Sequence, residues 1–154
     1  MILNRQRAVR VARRRLELFV ARVRRELGLG DADFTICLVS DTEIARMNQA
    51  FRRKKGPTDV LSFPAVDRRT PVRLPMRRGL GSHRRSQAET FLGDIAISPS
   101  TARRYAKKLG RTLPSELQIL ILHGVLHLLG YDHETDRGEM DRVETRLRRR
   151  LGLS

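Results

Sequence analysis

Residues 114–129 constrain the fold more than any other part of this chain, because they are apolar almost all round. A helix that is apolar on every face is stable only where other elements cover it. The apolar run within it, residues 117–129, is shorter than the roughly 20 residues needed to span a bilayer. Gly130 follows in the position where a helix commonly ends. The sequence therefore predicts a central, buried helix and no membrane span.

Three short segments are rich in apolar and β-branched residues, which is typical of strands. They are residues 34–39, 60–63 and 93–97. The first residues, 2–11, fit either a short edge strand or a frayed arm, and the sequence leaves both open.

Four further helices are predicted from apolar spacing and capping residues. Residues 12–27 form one. The next opens at Ser40, whose spacing to Glu43 is that of a capping box, and a third opens at Ser98 followed by Pro99. The last begins near Thr135. The side chains expected to face the core are, helix by helix, Ala12, Leu16, Phe19, Val23 and Leu27; Ile44, Met47 and Phe51; Ala102, Tyr105, Ala106 and Leu109; and Met140, Val143, Leu147 and Leu151.

The order of these elements predicts an α+β (α/β-like layered) fold, a small mixed β-sheet covered by about five helices. No repeat or linker interrupts the pattern, so residues 1–154 are expected to form one domain. Residues 67–89 are rich in Arg, Pro and Gly with little apolar pattern, which predicts a basic loop.

The charge of the chain bears on its partners. Lys and Arg number 32 against 17 acidic residues, a formal net charge of +15 at pH 7. A polyanion such as a nucleic acid would offset this charge, although a merely solvated basic surface has the same composition. The lone Cys37 excludes an internal disulfide framework and fits a reducing compartment. No apolar run follows the arginines of residues 1–15, so no secretory signal is predicted and a cytoplasmic location is expected.

The candidate active site is the segment HGVLHLLGYDH at 123–133, which holds three of the four histidines. His123 and His127 stand four apart on the predicted helix, so their rings lie on one face, about one turn apart. Gly130 permits a left-handed turn that returns His133 to the same face. Three neutral imidazoles suit a zinc ion and leave a fourth position for a water molecule. The sequence predicts one Zn²⁺ on these histidines, with the metal-bound water as the reactive group.

The spacing of the first two histidines matches the zinc-peptidase motif H-E-x-x-H, but the general base of that motif is missing. The residue after the first histidine is Gly124, where those enzymes carry a glutamate. A zinc-dependent peptidase or amide hydrolase would need a carboxylate from elsewhere in the chain, and it stays one alternative.

The histidine segment resembles the signature of the YbeY family of bacterial endoribonucleases. Two more segments agree with that family: NQAFRRK at 48–54, leading into PTDVLSFP at 57–64, and LGDIAIS at 92–98. The resemblance covers about residues 34–151. It implies a zinc-dependent, single-strand-specific endoribonuclease that acts in rRNA maturation, including 16S rRNA 3′ end processing, and in ribosome quality control. The implied partners are single-stranded RNA and the small ribosomal subunit, with no DNA specificity.

The resemblance also implies a functional role for Arg52, which would clamp the phosphate and its transition-state charge. Without the resemblance, Arg52 is one of several cations in a basic turn. Asp132 lies between site residues and is expected to orient a ligand or, as the less favoured role, to act as a base. A non-catalytic ribosome-binding factor with a structural metal remains the second alternative.

Overall fold

A four-stranded mixed sheet organises the chain. The computed structural model describes residues 1–65 and 91–153, so the predicted basic loop at 67–89 and His83 lie outside the described residues. Strands β1, β2 and β4 are parallel, β3 is antiparallel to β4, and the order is β1-β2-β4-β3. The predicted α+β fold is confirmed. The elements are β1 Ile2–Asn4, α1 Arg13–Glu26, β2 Asp33–Leu38, α2 Asp41–Arg52, β3 Val60–Pro64, β4 Phe91–Ile97, α3 Pro99–Leu109, α4 Leu113–Leu128 and α5 Glu139–Arg150.

The first residues form the edge strand that the sequence left open. β1 pairs in parallel with β2, with Ile2 opposite Ile36 and Asn4 opposite Leu38. Beyond it, the Gln6 side chain accepts from the Val9 amide and donates to the Val9 carbonyl, both at 2.9 Å. These two hydrogen bonds close the loop that leads to α1.

α4 is the central helix that its apolar sequence predicts. It contacts α1, α3, α5, β3 and β4, and the side chains of Leu122, Val125 and Leu126 are fully buried. Thr112 caps its N-terminus by accepting a hydrogen bond from the Ser115 amide at 3.3 Å. Among the described residues, no helix has the length and hydropathy that crossing a bilayer requires.

Two glycines allow α4 and the sheet to approach closely. A Cβ on Gly124 would lie 2.9 Å from Cγ2 of Ile95 on β4. At Gly93, on β4 itself, φ is +138° and a Cβ would lie 2.2 Å from the Phe63 carbonyl oxygen. Neither position has room for a side chain, so both contacts depend on glycine. The resulting contact sets the depth at which α4 lies against β4.

α2 covers the opposite face of the sheet. Ile44 is fully buried against Val39, Leu61 and Ala96, and Met47 packs beside it. Ser40 caps the helix as predicted, since its Oγ accepts from the Glu43 amide at 3.1 Å. The sheet therefore has helices on both faces.

Asp41 fastens the start of α2 to the start of α3. Its carboxylate accepts hydrogen bonds from Ser98 Oγ at 2.5 Å, Thr101 Oγ1 at 2.7 Å and Arg104 Nη1 at 3.0 Å. Burial by itself would raise the pKa of Asp41, but these hydrogen bonds together outweigh it and lower the pKa. These hydrogen bonds to Asp41 hold α2 in a defined direction across the sheet.

Four side chains that the apolar spacing places in the core are exposed. Ala12 precedes α1, which begins at Arg13, and is exposed. Phe51, Tyr105 and Leu109 are 70%, 43% and 57% exposed, and Phe51 and Leu109 lie in the last turns of α2 and α3. Spacing identifies the apolar face of a helix but not how far the neighbouring elements extend along it. The predicted core positions that are buried are Leu16, Phe19, Val23, Leu27, Ile44, Ala102, Ala106, Met140, Leu147 and Leu151.

α5 begins at Glu139, four residues later than predicted. Before it, the Asp136 carboxylate accepts from the Gly138 and Met140 amides, both at 2.8 Å. The Met140 hydrogen bond is the largest influence lowering the pKa of Asp136. Residues 132–138 therefore form a turn, closed by Gly138 at φ +86°, instead of the first turn of a helix.

Candidate metal centre

His123 and His127 project from one face of α4. Their Nε2 atoms lie 3.0 Å apart, and the ring centroids lie 4.6 Å apart. Both residues are half-buried. The two rings thus meet through their Nε2 edges, as helical spacing of four predicts.

The loop after α4 returns His133 to the same place. Gly130 adopts φ +97°, and the Tyr131 amide donates back to the Leu126 carbonyl at 3.1 Å. The His133 ring centroid lies 5.7 Å from that of His123 and 5.5 Å from that of His127. One ligand atom from each of the three histidines lies within 4.8 Å of the others. The structure therefore brings all three predicted ligands together.

The geometry of the three histidines fits a metal ion. With Zn–N distances near 2.05 Å, a tetrahedral site separates its nitrogens by roughly 3.3 Å, close to the 3.0 Å between the α4 histidines. His133 is the exposed member and lies on a loop, so its ring has room to adjust. Within residues 1–65 and 91–153, no cysteine, carboxylate or further histidine joins the group. The described part of the chain therefore supplies three donors, as an open site requires.

His127 is in the protonation state that a metal ligand needs. Burial lowers its pKa, and the neighbouring His123 and His133 lower it further. A hydrogen bond with the Tyr131 backbone and the negative charge of Asp132 oppose the shift without reversing it. His127 is therefore neutral at neutral pH, and neutral imidazole is the form that binds a metal.

The three histidines line a cleft of about 530 Å³, bounded on its other side by β3 and the end of α2. Arg52, the last residue of α2, lines the same cleft, and its Nη2 lies 3.7 Å from Oε1 of Glu134. Arg53 ends the helix at φ +54°, and Asn48 Nδ2 donates to the Gly56 carbonyl at 3.0 Å. Past this local turn, the guanidinium of Arg52 lies beside Glu134, the residue that follows His133. The structure places the predicted arginine and the predicted ligands in one cleft.

Comparisons with known proteins identify the family of this chain. The family model for endoribonuclease YbeY matches residues 1–152. Two curated relatives, both named endoribonuclease YbeY, come from Koribacter versatilis (40% identical, covering 99% of this chain and 86% of that protein) and Solibacter usitatus (43% identical, covering 90% and 78%). This chain belongs to the YbeY endoribonuclease family. The resemblance inferred from the sequence is confirmed.

A solved structure is similar to this chain in its fold. The solution structure of TM1509 from Thermotoga maritima superimposes with a TM-score of 0.61 at 26% identity. The match covers 98% of this chain and 89% of that one. The layered arrangement of sheet and helices is therefore shared by both proteins.

Asp132 shapes the loop of this YbeY-family site. Its Oδ1 accepts from the Glu134 amide at 3.0 Å, and its backbone carbonyl accepts from the Asp136 amide at 3.0 Å. The residue lines the cleft, and its charge opposes the lowering of the His127 pKa that burial causes. These contacts fold the turn that carries His133, so the geometry favours a positioning role over that of a base.

Gly124 occupies the position of the peptidase base, and its place in the fold argues against the peptidase alternative. A side chain there would point at Ile95 on β4. The carbonyl of Gly124 accepts from Ser62 Oγ at 3.4 Å, which further ties this side of α4 to the sheet. A glutamate at this position would press into the sheet instead of lining the cleft.

Two features of the site were not predicted from the sequence. Glu144 on α5 lies with its two carboxylate oxygens 3.3 and 3.4 Å from Nδ1 of His123. In the sequence, Glu144 could have been noticed because it is a carboxylate on the helix face of Met140, Leu147 and Leu151, where only apolar residues were expected. Phe51 was predicted to face the core but lines the cleft, where it packs edge-on against Phe63 with centroids 4.9 Å apart.

Proposed function

We propose that this protein is a zinc-dependent endoribonuclease that cuts single-stranded RNA, with one zinc ion on His123, His127 and His133. The observation that carries the proposal is the convergence of three imidazoles in the cleft of a chain that belongs to an endoribonuclease family. Nitrogen donors in a tetrahedral arrangement favour zinc over the harder divalent ions. When bound, the ion would supply a Lewis acid that acidifies a water molecule and polarises a phosphoryl oxygen.

Arg52 would contact the phosphate that is cut. Negative charge accumulates on the phosphoryl oxygens in the transition state, and a guanidinium can meet it with two N–H donors. The existing ion pair with Glu134 is exposed and 3.7 Å long, so it is weak. A phosphate entering the cleft can replace that carboxylate as the partner of Arg52.

Phe51 supports the proposed preference for single strands. Its ring is 70% exposed, lines the cleft and is held edge-on by Phe63. Unpaired bases stack on exposed aromatic rings of this kind, whereas the bases of a duplex are already stacked on each other. A flipped-out or single-stranded base can therefore lie on Phe51 beside the arginine.

The basic surface supports RNA as the partner. The C-terminal ends of α1 and α5 are joined, since Arg150 pairs with Glu26 at 3.1 Å and Arg22 donates to the Leu151 carbonyl at 3.0 Å. Exposed arginines on these two helices include Arg14, Arg15, Arg25, Arg146 and Arg149. A surface rich in arginine binds phosphates without reading sequence.

The cellular role that fits this activity is rRNA maturation and ribosome quality control in the cytoplasm. The substrate would be the 3′ end of 16S rRNA on the small ribosomal subunit, held by a chain that acts as one domain over residues 1–154. The match to the YbeY family and the net charge of +15 support this role.

The proposal is tested by metal analysis and RNA cleavage on the purified protein. We expect about one zinc per chain, cleavage of a single-stranded RNA, loss of cleavage in EDTA and recovery with added zinc. His127→Ala should lose both zinc and cleavage while it keeps its fold, because the ring is only half-buried.

His83→Ala is the matched control, since it removes the histidine outside the segment 123–133, and it should keep zinc and activity. EDTA-resistant cleavage, or full activity of His127→Ala, would refute the proposal. Unfolding of His127→Ala together with an inactive wild type would support a structural metal instead.

A further inference from the structure

The outer nitrogen of His123 faces a carboxylate from another helix. We propose that Glu144 is a positioning residue that holds the His123 ring and its tautomer for metal binding. The inference rests on the metal site proposed above. It concerns a residue of α5, 21 positions away along the chain, that none of the three motif segments contains.

The geometry assigns different tasks to the two nitrogens of His123. Nδ1 lies 3.3 and 3.4 Å from the two carboxylate oxygens of Glu144, while Nε2 lies 3.0 Å from Nε2 of His127. A neutral imidazole carries its proton on one nitrogen only. A carboxylate can only accept, so the proton lies on Nδ1 and the lone pair of Nε2 points into the group of three histidines.

The position of Glu144 on α5 is unfavourable unless the carboxylate has such a partner. Its side chain is 14% exposed, and it shares a helix face with Met140 and Leu147, which are buried. A carboxylate removed from water costs free energy unless hydrogen bonds compensate for it. His123, itself 27% exposed, supplies that compensation.

The two α4 ligands are therefore held from outside by different groups. The backbone of Tyr131 acts on the ring of His127, and no side-chain substitution removes it. His123 depends on a side chain, so its support can be tested by mutation. Outer partners of this kind fix the tautomer and orientation of a ligating histidine, and their loss typically weakens metal binding 10–100-fold.

The experiment measures zinc affinity by competition with a chromophoric chelator, without reference to activity. Glu144→Ala removes the acceptor and should bind zinc roughly 10–100-fold more weakly than the wild type. Glu144→Gln keeps an oxygen acceptor but loses the charge, and its affinity should fall between the two. Glu139→Gln is the matched control, because it neutralises an exposed acid in the first turn of the same helix, and its affinity should equal that of the wild type.

Each outcome separates this inference from the proposed function. A wild type that binds no zinc refutes the metal site itself. A wild type that binds zinc, with Glu144→Ala within twofold of it or Glu139→Gln equally weakened, refutes the positioning role alone. If Glu144→Ala does not fold, Glu144→Gln decides, since an affinity equal to the wild type would overturn the inference. Thermal unfolding of the metal-free variants shows which case applies.

Discussion

The two walls of the cleft are built in opposite ways. The α4 wall consists of His123 and His127, on a helix whose Val125 and Leu126 are fully buried, and of His133 on the loop that follows. The α2 wall, which consists of Phe51 and Arg52 at the end of α2, is open, with side chains 70% and 43% exposed. The first wall is held by packing, and the second is held by a turn.

This contrast follows from what each wall has to do. Metal ligands must keep their positions within about half an ångström, and a close-packed interior resists displacement on that scale. Groups that meet a polymer must remain reachable, so they lie where helices end and loops begin. Mutations of the histidines in the α4 wall should therefore affect metal binding, mutations of the packed residues behind them should affect folding, and mutations in the α2 wall should affect turnover and substrate binding.

The largest expected effect is that of Gly124→Glu, on the sheet side of α4 behind the histidines of the α4 wall. A Cβ there already meets Ile95 at 2.9 Å, and the carboxylate would lie in the core. We expect a loss of at least about 3 kcal/mol in the free energy of unfolding, from overpacking and a buried charge. Urea denaturation measures it, with Gln49→Glu on the exposed face of α2 as a control that should change little. A stable Gly124→Glu protein that hydrolyses peptides would reverse the comparison and revive the peptidase alternative.

A smaller effect is expected from Arg52→Ala in the α2 wall. Losing one donor to the transition state should lower kcat about 10²-fold, while zinc content and the unfolding midpoint stay as in the wild type. Single-turnover cleavage of a single-stranded RNA measures the change. Arg46→Ala removes an exposed arginine of the same helix outside the cleft, and an equal loss in that variant would show that only general charge matters.

The smallest effect should come from Phe51→Ala. Its KM for single-stranded RNA should rise roughly tenfold, the size of one lost base–aromatic stack, with kcat nearly unchanged. Phe51→Tyr should restore the KM, because the ring is kept. Tyr105→Ala, which removes an exposed ring from α3, serves as the control. A change in kcat instead of KM would mean that Phe51 shapes the α4 wall and not the path of the substrate.

The α4 wall could be read almost completely from the sequence. Helical spacing puts His123 beside His127, and the glycine at 130 allows the turn that returns His133, so each step depends on neighbours within a few residues. The α2 wall could be read only in part. The apolar spacing of α2 placed Phe51 inside, because a sequence does not show where the sheet beneath a helix ends.

What the sequence determined by itself was therefore local: the type of every helix and of strands β2, β3 and β4, the caps at Ser40 and Ser98, and three candidate ligands within one short segment. Tertiary structure alone decided the strand order, the pairing of Glu144 with His123 across 21 residues, and the anchoring of Asp41 by Thr101 across 60. The physical reason is that backbone geometry relates near neighbours directly. Contacts between distant residues depend on how whole elements pack, which no local pattern encodes.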